Sequence, residues 1–204
     1  MSSAPQPRTT ASATVRRYWT QRVDGEGNWR INRANGTPMR TPGEDLAALR
    51  SGLGRTAFTV PELWPFYTST TDGRITPEVE AEHATLSLYG LHQQSQSRPM
   101  HKRGITIGTA LRTLHRSERY SEEAVDARVA AAVHTTSAAA LVYRLRGLVT
   151  QLRSVEQPLD YDRLLQDIQR WASPGTRQQV RRDWGLAYHS WSARTGNPAA
   201  PKTP

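Results

Sequence analysis

The stretch LRSGLGRT, residues 49–56, combines two glycines with flanking arginines, as phosphate-binding loops do. Glycine lets a backbone approach phosphate closely, and the arginine guanidinium matches phosphate oxygens with paired hydrogen bonds. In nucleotide-binding enzymes such a loop follows a strand and precedes a helix, whose N-terminus holds the phosphate. Here the glycines follow a predicted helix. We therefore expect Gly52 to be a C-terminal cap in the left-handed conformation, with Arg50 and Arg55 projecting from the turn.

A second basic turn has the same build within residues 100–116, MHKRGITIGTALRTLHR. Backbone amides near a helix start, together with flanking cations, suit a phosphate backbone. For any single arginine, a solvated charged helix explains the residue equally well, and only the repetition of the pattern on several helices favours binding. The cations of this segment are Lys102, Arg103, Arg112 and Arg116, and Arg112 is expected to point away from the buried face of the helix predicted here.

Catalytic and metal-binding patterns are weak by comparison. Glu80 and His83 have the spacing of di-iron helices, but such a site needs a second pair and further glutamates, and the sequence has no second pair. We therefore place His83 on an exposed helical edge and His92 near the core. The remaining central histidines lie among basic or small residues, where a role beside phosphate is more plausible than catalysis; they are His101, His115 and His134.

The sequence contains no cysteine, which excludes disulfides, thiolate catalysis and cysteine-ligated zinc. It has no HExxH, GxSxG or Walker A pattern. Asp160 and Asp162 are close together, but we expect one to cap a helix and the other to lie in its first turn. We predict a protein that is not an enzyme and that has no cofactor and no metal site.

Charge is the strongest signal of the composition. The 204 residues include 27 Lys or Arg against 18 Asp or Glu, a net charge of +9, and all the cations except Lys102 and Lys202 are arginines. An arginine-rich basic protein most often binds nucleic acid, although a GC-rich genome also raises arginine content. The alternative is a helical scaffold whose arginines bind acidic protein partners. Without an apolar segment of membrane-spanning length or an N-terminal signal, we expect a cytoplasmic protein.

Hydrophobic periodicity predicts an all-α fold. Residues 137–154 carry one apolar stripe, with Arg146 and Arg153 on one flank and Arg144 on the other. A helix over 159–171 starts at Asp160, and a third helix starts at Ser173 as N-cap. In this third helix Arg182 faces away from the predicted buried stripe, which consists of Val180, Trp184, Ala187, Tyr188 and Trp191.

Besides the helix of the second basic turn, three further helices precede these. One starts at Ser121. Another covers 77–95 and is apolar on two sides, which is typical of a central helix. The third starts with Thr41 and Glu44 as a capping box. We predict disordered tails at 1–14 and 193–204, a helical bundle over 15–116 and a second over 117–192, with the joint near 98–105 or 117–121. Residues 24–40 are predicted to be a loop or insertion.

The ordered series of motifs resembles the small subunit of type I-E CRISPR Cascade complexes, the CasB (Cse-type) family. RGITIGTAL and PLDYDRLLQDIQRW are its most specific parts, and the resemblance covers about residues 42–190. The segments in order are DLAALRSGLGR, VPELWPFY, HATLSLYGLHQQS, MHKRGITIGTALRTL, LVYRLRGLVTQLR, PLDYDRLLQDIQRW and RRDWGLAY.

The resemblance implies two helical bundles without enzymatic activity. It also implies two copies packed head to tail beside other Cascade subunits, with a basic surface on the CRISPR RNA and target DNA backbone. Arg50 and Arg146 match basic positions of the family best. The family often has a second arginine where this chain has Ser51 and Gly147, so the contact is either weaker here or carried by Arg55 or Arg144. The predicted nucleic-acid-binding residues are Arg50, Arg55, Lys102, Arg103, Arg112, Arg116, Arg144, Arg146, Arg153 and Arg182.

Overall fold

A computed structural model describes residues 16–190, so the predicted tails and Trp191 lie outside the described residues. Within this range there is no β-strand, only three isolated bridges, and the predicted all-α fold is confirmed. None of the helices in the range is long and apolar enough to span a bilayer. The helices are α1 (Tyr18–Arg22), α2 (Gly43–Ser51), a 3₁₀ helix (Pro61–Phe66), α3 (Pro77–Gln93), α4 (Ile107–His115), α5 (Glu122–Val133), α6 (Ala138–Ser154), α7 (Tyr161–Trp171) and α8 (Pro174–His189).

Helix α3 is the centre of the fold, as its two apolar sides predict. It packs against α2, α6 and α7, and every residue from 81 to 90 is buried. Gly90 permits this packing, because a Cβ there would lie 2.6 Å from the Cβ of Leu49. Because three helices pack on α3, side chains on these helices are brought close to one another. Helices α2 and α6 therefore both lie against α3.

Helix α4 packs against α5, α6 and α8. A Cβ on Gly108 would lie 2.6 Å from the carbonyl oxygen of Trp184, so this glycine has a packing role between α4 and α8. One hydrophobic cluster extends from Tyr18 to Tyr188. The division into two bundles and the position of the joint between them stay predictions.

Two of the predicted helix starts are set by capping hydrogen bonds, and two are not. The side chains of Ser121 and Asp160 accept hydrogen bonds from backbone amides of the first turn, as predicted. The predicted capping box at Thr41 is wrong, because α2 begins at Gly43 with Pro42 as N-cap, and the Thr41 hydroxyl contacts Tyr89 instead. Ser173 occupies the N-cap position of α8, but its side chain makes no capping hydrogen bond.

Residues 24–40 form a folded insertion rather than a plain loop. Two isolated antiparallel bridges, Val23–Trp29 and Ile31–Pro38, order it. The Trp29 indole N–H donates to the carbonyl oxygen of Ser97 at 2.9 Å. Because these contacts reach residue 97, the insertion packs beside the start of the second basic turn.

Candidate nucleic-acid interface

The first basic turn follows α2 directly. Arg55 N–H donates to the Gly52 carbonyl at 3.0 Å and closes the turn. Gly52 is the C-cap of α2, as predicted, but it has φ −76° and is right-handed, so the predicted left-handed conformation is wrong. Gly54, with φ +77°, is the residue that takes the left-handed conformation, and it turns the chain toward Arg55.

Gly52 is needed for space rather than for its dihedral angles. A Cβ there would lie 2.4 Å from Ser87 Oγ and 2.9 Å from the His83 ring on α3. His83 Nε2 lies 3.0 Å from the Gly52 carbonyl oxygen, which only accepts, so Nε2 carries the donated proton. The other ring nitrogen lies 2.6 Å from the Tyr67 hydroxyl. The expected exposed position of His83 is therefore wrong, because α3 is covered on that side and the histidine fastens the turn to it.

Replacing Gly52 with alanine is expected to lower the free energy of unfolding by about 1–3 kcal/mol, the usual cost of overpacking. Gly147→Ala is the matched control, because a Cβ there meets nothing within 4 Å in the middle of α6. Helix propensity predicts that this control gains up to about 1 kcal/mol. Urea unfolding of both variants measures the difference, and equal stabilities would contradict the packing role of Gly52.

The turn forms one wall of a cavity of about 700 Å³, which α3, α6 and α7 complete. Arg55 from the turn and Arg146 from α6 both line this cavity, and Tyr143 lies beside them. Both arginines are exposed, and neither guanidinium makes an ion pair or hydrogen bond within residues 16–190. The structure thus brings together two predicted site residues that are far apart in the sequence.

Arg50 and Arg153 flank one turn of α3. The Arg50 amide nitrogen would lie 3.2 Å from a Cβ at Gly90, and its half-buried guanidinium has no hydrogen-bond partner among residues 16–190. Arg153 uses Nη1 to donate to the Leu91 carbonyl at 3.2 Å and to Gln94 Oε1 at 3.0 Å. Arg50 is therefore available to a ligand, whereas Arg153 joins α6 to α3 and can offer only its other donors.

A second cleft, of about 530 Å³, lies on the other side of Arg146. It is lined by Arg128, Tyr143, Arg144 and Arg146, and the Arg144 guanidinium lies 5.8 Å from the Tyr143 ring centroid. Arg128 is a further candidate that was not predicted from the sequence, because only the fold places α5 beside α6. Arg146 thus stands between two arginine-lined depressions.

The second basic turn is built differently from the expectation. Lys102 and Arg103 are exposed, but the Gly104 N–H donates to Asp160 Oδ2 at 2.9 Å. The Thr106 side chain caps α4 by accepting from the Thr109 amide. Side chains of this protein therefore occupy two of the amides near the helix start, Lys102 and Arg103 remain exposed, and the phosphate contact at this turn stays a prediction.

The remaining predicted cations lie apart from the cavity of Arg55 and Arg146. Arg116 and Arg182 are exposed. Arg112 points away from the core of α4, as expected, but Nη1 donates to the carbonyl and hydroxyl oxygens of Ser190. Arg103 lines a different cavity of about 610 Å³ that it shares with Arg16 and Arg30. The ten predicted residues therefore do not form one continuous site.

Comparison with known proteins decides the family. The sequence profile described as CRISPR-associated protein Cse2 matches residues 45–189, which is more than half of the chain. This chain belongs to the Cse2 family. It is similar to CasB from Thermobifida fusca, with 32% identity and a TM-score of 0.59 over 72% of this chain and 84% of that chain. No curated protein matches the sequence.

Two more distant structures share the fold of this Cse2 protein. CasB from M. ruber is 23% identical, with a TM-score of 0.57 over 73% of this chain and 85% of that chain. A chain of a CRISPR RNA-guided surveillance complex is 21% identical, with a TM-score of 0.55 over 73% and 83%. The predicted resemblance to the CasB family is confirmed.

His92 and His101 of this Cse2 protein are buried, whereas His115 and His134 lie nearer the surface. His92 is buried, as expected, and Nδ1 lies 2.8 Å from the Tyr161 hydroxyl. His101 is buried beside Asp160 and Asp162, and His115 Nε2 lies 3.5 Å from Asp126. The expected role of His101 beside phosphate is wrong, because this histidine is buried next to carboxylates, whereas the roles expected for His115 and His134 stay predictions. His134 contacts the Ala130 carbonyl of its own helix.

One group of potential metal ligands comes together in the structure. Ligand atoms of His101, Asp160 and Asp162 lie within 4.8 Å of one another. Asp160 accepts from the first amides of α7 and from Gly104, Asp162 accepts from the Trp19 indole, and His101 Nδ1 accepts from the Tyr161 amide. These hydrogen bonds explain why the three side chains lie close together: they join α7 to the second basic turn.

Acid is expected to destabilise this protein as the pH falls below about 6.5. Burial, with help from Arg153, lowers the pKa of His92 to about 3, and burial also lowers the pKa of His101. Between pH 6.5 and about 3 the unfolded His92 therefore binds a proton that the folded one rejects, so stability rises with pH by at most about 1.4 kcal/mol per unit for each histidine.

Urea unfolding at a series of pH values from about 7 to about 5 measures this slope. His92→Gln is expected to remove the His92 contribution and leave that of His101. His134→Gln, at an exposed position, is the control and should keep the parent slope. Equal slopes for the parent and His92→Gln would refute the assignment.

Proposed function

We propose that this Cse2 protein is a non-catalytic small subunit of a type I-E Cascade complex. Its basic helix surfaces bind the backbones of CRISPR RNA and target DNA and stabilise the R-loop during antiviral defence. Family membership supports the place in the complex. The observation that carries the binding role is the convergence of Arg55 and Arg146 on one cavity, with no carboxylate paired to either within residues 16–190.

Phosphate is the ligand that this arrangement fits best. Guanidinium groups without internal partners keep their donors for a ligand, and phosphate oxygens accept them in pairs. The net charge of +9 adds a long-range attraction that raises the rate of encounter with nucleic acid. Backbone contacts of this kind position a strand without reading its sequence. The subunit therefore binds without sequence preference, and guide pairing supplies specificity.

Buried ionisable groups support a non-catalytic role. Glu82 and Asp167 are buried, and each is hydrogen-bonded to its neighbours in the fold. His83 uses both ring nitrogens to hold the first basic turn. Groups that are hydrogen-bonded in this way stabilise the fold, and His83 in addition holds the turn that carries Arg55. We also propose that two copies associate head to tail in the complex and contact other Cascade subunits.

Salt dependence tests the binding role directly. The affinity of the full chain for single-stranded RNA and DNA is measured by fluorescence anisotropy across a salt series. If Arg50, Arg55 and Arg146 each neutralise one phosphate, the log–log slope is expected to be roughly −2 on single strands. A slope near zero would contradict the proposal. Equal affinity for polyglutamate and nucleic acid would favour the alternative of a scaffold for acidic protein partners.

A further inference from the structure

We propose that the cavity between the Gly52–Thr56 turn and α6 accepts an unstacked nucleobase of the bound single strand. The inference rests on the proposed function and names the part of the strand that the cavity takes. Phosphate contacts alone require only an exposed basic surface. This surface instead opens into an apolar depression. A phosphate would lose its hydration there without gaining an equivalent contact.

The size and lining of the cavity suit a flat apolar group. Its volume of about 700 Å³ lies in the range of sites for small organic ligands. Leu53, Val142 and Ile168 contribute apolar side chains to the lining. Ile75 and Tyr143 also line it, and they are 50% and 72% exposed. The cavity therefore has large, solvent-exposed apolar side chains at its edge. An aromatic ring such as Tyr143 offers a face on which a base can stack.

The charges around the cavity match a nucleotide. Arg55 on the turn and Arg146 on α6 are both exposed and stand on different walls. A base that enters the cavity keeps its sugar and two flanking phosphates outside, within the region that these cations occupy. The apolar interior of the cavity therefore matches the base, and the two arginines match the phosphates on either side of it.

A carboxylate distinguishes a nucleobase from an acidic peptide. Glu80 is the one acidic residue that lines the cavity in the described part of the chain, and its carboxylate has no ion pair or hydrogen bond there. A carboxylate accepts hydrogen bonds from the exocyclic amino group of a base such as cytosine. It also repels acidic side chains that would have to enter the cavity, whereas the phosphates of a bound nucleotide stay outside it. The observations therefore favour a base over an acidic protein partner.

The test compares a deoxycytidine oligomer with an abasic oligomer of the same length, which keeps the phosphates and lacks the bases. Ala138→Leu with Ala139→Leu fills the cavity from α6 without changing charge. The matched control is Ala127→Leu with Ala140→Leu, two exposed helical alanines that do not line this cavity. Circular dichroism confirms that both variants remain helical.

We expect the parent and the control to bind the cytidine oligomer about tenfold more tightly than the abasic one, since stacking of one base has this magnitude. The filled variant should bind the two oligomers equally. An unchanged preference in the filled variant, or no preference in the parent while binding stays salt-dependent, would overturn the base site and leave the proposed function intact. An acidic aromatic peptide that binds the parent but not the filled variant would also overturn it. Absence of salt-dependent binding to either oligomer would instead defeat the proposed function.

Discussion

Replacing Glu82 with alanine is expected to lower the free energy of unfolding by about 3–5 kcal/mol, because it breaks a buried ion pair and its hydrogen-bond network. Glu82 is fully buried on α3 and lies 2.5 Å from Arg17 Nη1. It also accepts hydrogen bonds from both backbone amides of Thr68 and Ser69, at 2.9 Å and 2.8 Å. Alanine leaves these donors in the interior without an acceptor.

The state of Glu82 follows from the same contacts. Burial alone would raise the pKa of this carboxyl, but the hydrogen bonds from Thr68 and Ser69 and the Arg17 guanidinium hold it below the ordinary value. The group therefore stays ionised in the folded protein. Its contribution to stability is present above the unfolded pKa and is lost as the pH falls through the lowered value.

Glu78→Ala provides the matched control, because Glu78 bonds the same Arg17 at 3.1 Å but is 49% exposed. An exposed ion pair contributes at most about 1 kcal/mol, so this variant should remain close to the parent. Urea unfolding midpoints at neutral pH measure both. If Glu82→Ala lowers the free energy of unfolding no more than Glu78→Ala does, the buried network does not stabilise the segment that contains Thr68 and Ser69.

The double substitution Arg55→Ala with Arg146→Ala is expected to weaken binding to single-stranded nucleic acid by about tenfold to a hundredfold and to make the salt slope less steep by roughly 1.4. Both guanidinium groups face the cavity without partners within residues 16–190, so their loss removes ligand contacts and leaves the packing unchanged. Thermal unfolding should therefore give the parent midpoint.

Net charge alone also affects affinity, so the control must remove the same charge elsewhere. Arg33→Ala with Arg119→Ala does so at two exposed positions that do not line the cavity. We expect this control to lose much less affinity and to keep most of the salt slope. Equal losses in the two double variants would show that bulk charge, rather than the convergence of Arg55 and Arg146, determines binding.

The sequence predicts the helices well because their apolar residues repeat at helical spacing. The stripe of α6 is confirmed at Leu141, Leu145, Leu148 and Leu152, all of them buried. Errors concentrate where a local pattern competes with tertiary contacts. Gly52 follows a helix, as a left-handed cap does, yet its role is to admit the side chains of α3. Periodicity within one segment carries no information about what packs on it.

The candidate site was predictable only in part for the same reason. The arginine-rich composition and the two basic turns indicate phosphate as ligand, and Arg55 and Arg146 were among the predicted residues. Their convergence depends on α2 and α6 both packing on α3. Arg112 and Arg153 have the same residue type and lie on predicted helix flanks, but their internal hydrogen bonds appear only in three dimensions.

The stability of the R-loop in a reconstituted complex tests the central claim most directly. Cascade is assembled from the host's own subunits with the parent small subunit, with Arg55→Ala and Arg146→Ala together, or with the Arg33→Ala and Arg119→Ala control. The lifetime of the target-bound complex is then measured after addition of excess competitor DNA. We predict that the cavity variant assembles normally and shortens this lifetime, whereas the control preserves it. An R-loop that persists as long with the cavity variant as with the parent would contradict a backbone-binding role for this surface.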